Sequence, residues 1–155
     1  MTYAKGTKVP VARSKTEIDK VLRKHGATAI MMGEQFDTGA LVAFQLAARN
    51  VRIDVPLPQV DEFRRGPWGD GTRRYTEAQA NRRCEQATRE RWRAVVLLLK
   101  AKLEAISLGH TTVEREFLYG MMLPDGQTFG GALESGSLDR VLGPSGVPLL
   151  PGSAR

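Results

Sequence analysis

The stretch "RRCEQATRERWRAVVLLLKAKLEA", residues 82–105, decides the fold. Seven of its residues are basic, and it runs straight into the apolar block Ala94–Leu99. At 100° per residue, Cys84, Thr88, Trp92, Val95, Leu99, Leu103 and Ile106 fall on one arc. Arg82, Arg89, Arg93 and Lys100 fall on a second arc, centred roughly 100° away. The pattern predicts an amphipathic helix with a basic stripe along it. In its middle, Val96, Leu97 and Leu98 widen the apolar arc almost all round. That predicts burial on several sides, by a sheet or by another subunit, with Leu97 in the contact. Upstream, "TEAQ" from Thr76 has the form of a capping box, and Gly109 follows Leu108. The helix is therefore expected from Thr76 to Leu108.

Around this helix the 155-residue chain has the length of one domain. Hydrophobic residues make up 41% of it, enough for a core, and charged residues 26%, ordinary for a soluble domain. One cysteine, Cys84, rules out an intramolecular disulfide and a cysteine zinc site, and fits a reducing, cytoplasmic setting. The first residues hold no apolar core of signal-peptide length, and Ala94–Leu99 is far short of a membrane span.

Before the long helix, "SKTEIDKVLRKHG" predicts a first helix. Ser14 is its expected N-cap, with Glu17 completing a capping box, and Gly26 is its stop. Three strands are expected next, at Ala27–Met32, Ala40–Ala48 and Val51–Val55, with turns at 34–39 and at Arg49–Asn50. Pro56 and Pro58 end the sheet. Residues 59–75 show no period and read as a long loop. After the long helix, "TTVEREFLYG" predicts a short helix capped by Thr111 with Glu114, and "LPDGQ" a turn. The expected architecture is α+β. A short N-terminal helix leads into a three-stranded antiparallel meander, a long helix packs on the sheet, and a short C-terminal helix follows. Residues 1–134 form the domain, and 135–155, rich in Gly, Pro and Ser, an irregular tail. Two exposed sheet edges and the wide apolar arc point to a homodimer.

The charge carries the functional signal. Net charge is +6, and nine arginines against four acids between Arg64 and Arg93 account for five of it. The loop interleaves aromatics with guanidinium groups: Phe63, Arg64, Arg65, Trp68, Arg73, Arg74, Tyr75. Stacking platforms beside cations suit single-stranded nucleic acid. Arg82, Arg89 and Arg93 continue the track along the helix. The competing readings are a solvated helix face laced by Glu85–Arg89 and Glu90–Arg93 pairs, and a surface for a protein partner. Other candidates are weaker. His25 and His110 sit at helix ends, where a cation meets free carbonyls. Cys84 lies on the apolar arc with no histidine near it in sequence, as a structural thiol does. Glu34 and Asp37 share a turn that could hold a cation, but Asp37 is explained by the turn itself. Glu114 and Glu116 read as first-turn helix acids. No HExxH, DxD or Gly-Lys-Ser element occurs. No catalytic residue, metal or cofactor is assigned.

Four segments, "VPVARSKTEIDKVLRKHGA", "RIDVPLP", "RERWRAVVLLLKAKLEAI" and "EFLYGMMLPDGQTFGGAL", with the terminal "VPLLP", resemble a family of small bacteriophage- and prophage-encoded proteins. The resemblance runs in order over nearly the whole chain. It departs from the family pattern at the end of the first strand, where "MMGEQF" stands in place of an aromatic "YGW"-like element. The resemblance implies a viral product acting in the cytoplasm of a bacterial host, and it carries over no catalytic residue. Three roles stay open. The first is a nucleic-acid-binding accessory protein of replication, recombination or repair. The second is an anti-defence protein that sequesters an anionic nucleotide messenger or a host protein. The third is a virion assembly protein.

Overall fold

The computed structural model describes residues 3–35, 39–65 and 74–139. The architecture is α+β. Helix α1 (Val11–Lys24) leads into strands β1 (Ala29–Gln35), β2 (Gly39–Leu46) and β3 (Arg49–Val55). A 3₁₀ turn (Val60–Phe63) precedes the long helix α2 (Glu77–Ser107). Two short helices follow, α3 (Val113–Phe117) and α4 (Phe129–Glu134), with a 3₁₀ turn at Leu118–Gly120 between them. The sheet is an antiparallel meander in the order β1-β2-β3.

Strand alternation places Ala40, Val42, Phe44 and Leu46 on one sheet face. Their partners there are Ile30 and Met32 of β1 and Val51, Ile53 and Val55 of β3. The helices cover this face. Helix α2 contributes Trp92, Val95, Val96, Leu99 and Leu103, and α1 contributes Ile18 and Leu22, all buried in one cluster. Each such side chain stabilises by roughly 1.5–3 kcal/mol through water removed from its surface. Phe117 of α3 closes the end of the core edge-on to Phe44, with ring centroids 5.3 Å apart. The phase assigned to α2 from its sequence is the one observed. Its cap is also the expected one: Thr76 Oγ1 accepts from the Gln79 amide, and the Gln79 side chain accepts from the Thr76 amide.

Three expectations need correction, and one helix is added. Helix α1 begins one turn earlier than its capping motif predicts, at Val11, with Pro10 in the N-cap position. Ser14 is therefore inside the helix. With Ile18 and Leu22 it forms the stripe at i, i+4, i+8 that faces the core, fully buried, and its Oγ has no hydrogen-bond partner among the described residues. Burial of the stripe outweighs the local cap. The β2–β3 turn is Ala47–Ala48, not Arg49–Asn50, and both alanines adopt left-handed φ (48° and 59°). The register explains it: Phe44 opposes Val51 and Val42 opposes Ile53. A turn at 49–50 would instead oppose Val42 to Leu57, which stands between two prolines that cannot donate to a ladder. Helix α3 is capped by Thr112, which accepts from the Arg115 amide, rather than by Thr111. Residues 129–134 form a helix that two glycines disguise in the sequence, capped by Thr128 on the Gly131 amide.

The two sheet edges differ. Along β3, Met121 bridges Val51 and the Met122 amide donates to Asn50 O at 2.9 Å. Gly120 passes so close that a Cβ would lie 2.4 Å from Arg52 O. Along β1, no described residue pairs with the outer edge.

Two measurements check these corrections. If Ser14 were a cap, Ser14→Ala would cost about 1 kcal/mol. As a buried hydroxyl without a partner, its removal should instead raise stability by about 1 kcal/mol in urea melts. Each left-handed alanine costs about 1–2 kcal/mol. Ala47→Asn with Ala48→Gly, the pair that type I′ turns prefer, should therefore raise the urea midpoint by an equivalent of about 1–2 kcal/mol. A loss of stability would place the turn elsewhere.

Candidate nucleic-acid interface

The residues on either side of segment 66–73 are fixed by local structure. On the incoming side, the Val60–Phe63 turn is capped reciprocally by Gln59 and Glu62. On the outgoing side stands the Thr76 cap of α2. Between them Arg65 and Arg74 form an antiparallel bridge, and the Tyr75 amide donates to Arg64 O at 3.1 Å. The Cys84 thiol donates to Pro58 O at 3.2 Å and ties the incoming segment to α2. Burial pushes the thiol's pKa up, so it stays protonated and serves as a tie rather than as a nucleophile.

This scaffold gathers cations. Arg65 and Arg74 are exposed on facing backbone positions. The Arg83 guanidinium lies 4.1 Å from the Tyr75 ring centroid, a cation–π arrangement. Arg64 pairs with Asp61 at 2.9 Å. Arg65, Arg74, Arg82 and Arg83 form no ion pair with a described carboxylate. Arg83 was not among the residues singled out from the sequence. Helical side chains lean toward the N-terminus, so a long side chain in the second turn of α2 reaches back to the residue before the cap. That was the available signal.

The stripe expected along α2 divides. Arg82 is exposed. Arg89 is half-buried and donates twice to Gln86 Oε1, at 2.7 and 3.2 Å, while Gln86 donates to Thr7 O at 3.0 Å. Arg93 donates to Glu17 Oε2 at 2.5 Å, and Lys100 donates to the other oxygen of the same carboxylate. The arc from Arg89 to Lys100 thus faces α1 and the N-terminal segment, because α1 begins early enough to lie along it. Arg93 is committed to a helix–helix contact and is not part of an open track. The local pairs Glu85–Arg89 and Glu90–Arg93 are not formed. Glu90 instead accepts from the Gly6 amide at 2.7 Å and from Gln86, and the Gly6 bond, first, holds its pKa below the usual range. Trp68 and Arg73 lie outside the described residues.

The remaining candidates have structural roles. His25 Nδ1 sits 2.8 Å from Val21 O at the end of α1. Glu34 pairs with Lys15 at 2.6 Å, and Asp37 lies outside the described residues. Glu114 and Glu116 occupy the first turn of α3 and pair with Arg49 and Lys102. Leu97 is half-buried in a shallow hollow beside Val21 and His25, and Leu98 is the exposed leucine of the mid-helix. Among the described residues, no cluster of three or more His, Cys, Asp or Glu could hold a metal, and no helix is long and apolar enough to cross a membrane. No family profile, curated protein or solved structure matches the chain.

Lys100, first, and Arg93 hold the pKa of Glu17 below the usual carboxylate range. A depressed folded pKa contributes stability that is present above the unfolded pKa and lost as pH falls through the folded one. Glu17→Gln should therefore cost about 1 kcal/mol at pH 7 and low salt. The difference from wild type should close below about pH 4. Urea melts across pH test this, and a gap that persists in acid would mean that Glu17 acts by packing rather than by charge.

Proposed function

We propose that the protein is a phage-encoded, non-enzymatic accessory protein that binds single-stranded nucleic acid. Its contact surface is formed by Arg65 and Arg74–Tyr75, which flank segment 66–73, together with the first turns of α2. The observation that carries this is the cross-strand pair Arg65–Arg74 beside Arg83 stacked on Tyr75. Like charges directly opposite each other destabilise a strand pair, and a phosphate between them removes that cost while gaining charge-assisted bonds. Tyr75 and the Arg83 plane offer faces on which a base can stack, and stacking tolerates any sequence. The clustering of five of the six net charges in the same thirty residues supports the reading, as does the resemblance to phage-encoded proteins.

Fluorescence anisotropy with labelled oligonucleotides of several lengths, at low and physiological salt, tests it. Affinity should rise with strand length and fall with log[salt], at a slope of about −0.7 per phosphate contacted. Arg65→Ala with Arg74→Ala should flatten that slope by one to two such increments. Trp68→Ala should weaken binding by about 1–3 kcal/mol at unchanged slope. Arg93→Ala should leave the slope alone and lower the melting temperature instead. No binding at low salt removes the proposal. Binding of mononucleotides or cyclic dinucleotides, indifferent to strand length, would replace it with sequestration of an anionic nucleotide by the same arginines.

A further inference from the structure

We propose that two copies of the chain pair edge to edge through β1, antiparallel about a two-fold axis at Met31, to form one continuous six-stranded sheet. This inference is independent of what the arginines bind.

The outer edge of β1 has no partner among the described residues. An edge strand presents a row of unpaired amide and carbonyl groups, and protein sheets guard such edges with lysine, proline, bulges or a covering segment. On the β3 side Gly120–Met122 covers Asn50–Arg52. On the β1 side the run Ala29–Gly33 contains no charge and no proline, and no described residue pairs with its outer edge. Met31, at its centre, is 60% exposed on the face away from the helices. Beside it that face carries a shallow hollow of about 240 Å³.

The size pattern selects a second copy as the occupant. Ala29, Ile30, Met31, Met32, Gly33 reads small, large, large, large, small, symmetric about Met31. Antiparallel pairing about Met31 sets Ala29 against Gly33 of the second copy, Ile30 against Met32, and Met31 against itself. Gly33 has open space where its side chain would stand, so the small positions leave room for the methionines. A shift of two residues one way opposes Ile30 to Glu34. The opposite shift opposes Met32 to Thr28. One register alone keeps all five positions apolar on both sides. A foreign strand needs no such symmetry, whereas an isologous contact does. Glu34, the charge that follows this run in the strand, is already neutralised by Lys15 at 2.6 Å.

Sedimentation velocity and disulfide trapping test this. Wild type should sediment as a dimer. Met31→Lys should be monomeric yet still folded, because the side chain it replaces is exposed in the single chain, and its melt should lose the concentration dependence that dimerisation gives wild type. In a Cys84→Ser background, Met31→Cys should cross-link under mild oxidation, since facing residues have Cα atoms about 4.5–5.5 Å apart, within disulfide reach. Gly33→Cys should not, because its two copies would stand about 14 Å apart. A wild type that stays monomeric across the concentration range overturns the proposal. So does a dimer that Met31→Lys leaves intact and Leu98→Glu disperses, which would put the interface on α2. Equal cross-linking at both positions overturns the register and with it the two-fold at Met31.

Discussion

Glu17 accepts from Arg93 and Lys100 across the seam between α1 and α2, and the sheet is laid on the surface that this seam creates. Ile18 and Leu22 on one helix and Trp92, Val96, Leu99 and Leu103 on the other are buried together. Their burial supplies most of the stabilisation. A half-buried carboxylate shared by two cations adds less energy, of order 1 kcal/mol, but it specifies phase. A turned α1 would move Glu17 away from both cations at once. Lys15, half a turn earlier and on the opposite flank of α1, confirms the same phase, with its Nζ 4.7 Å from the Trp92 ring centroid. The cost of this arrangement is visible in the same place. Ser14 Oγ and Trp92 Nε1 are buried with no partner among the described residues.

The seam also divides the arginines by task. Arg89 and Arg93 turn toward the N-terminal segment and α1, where they order the chain, while Arg91, on the opposite side of the helix, is exposed. Those at 65, 74, 82 and 83 stand on the other side of the Cys84–Pro58 tie, with no described carboxylate to answer them. The sequence shows one cluster of charge. The fold makes two populations of it, one with an internal function and one facing outward.

What was legible in the sequence was what many residues state together. Helix α2 repeats its apolar period over 31 residues, so its phase, its cap and its buried residues could all be read. The three strands and their order followed from alternation in Val51–Val55 and from the breaks between the runs. What could not be read were the places where a short local signal competes with burial. Ser14 and Glu17 form a sound capping motif, yet the core draws Ser14 inward and Arg93 draws Glu17 across. Ala47 and Ala48 carry no turn signal, because the register of Phe44 against Val51 imposes their conformation from outside. At the candidate site the loop arginines were recognised by composition. Which of them face one another depends on a backbone bridge between residues nine apart, and no periodicity encodes that. Arg83 was passed over because it is one of several arginines until Tyr75 is placed beneath it.

Gly120 has a consequence for growth. A side chain there would strike Arg52 O, so only glycine lets the segment up to Met122 occupy the far edge of the sheet at Asn50–Arg52. Strand addition needs an acceptor at each end if it is to continue from chain to chain. Among the described residues, the outer edge of β1 is unpaired and that of β3 is occupied at Asn50–Arg52. Any pairing made at β1 therefore saturates at once, and the geometry that invites a neighbour also terminates the polymer at its first step.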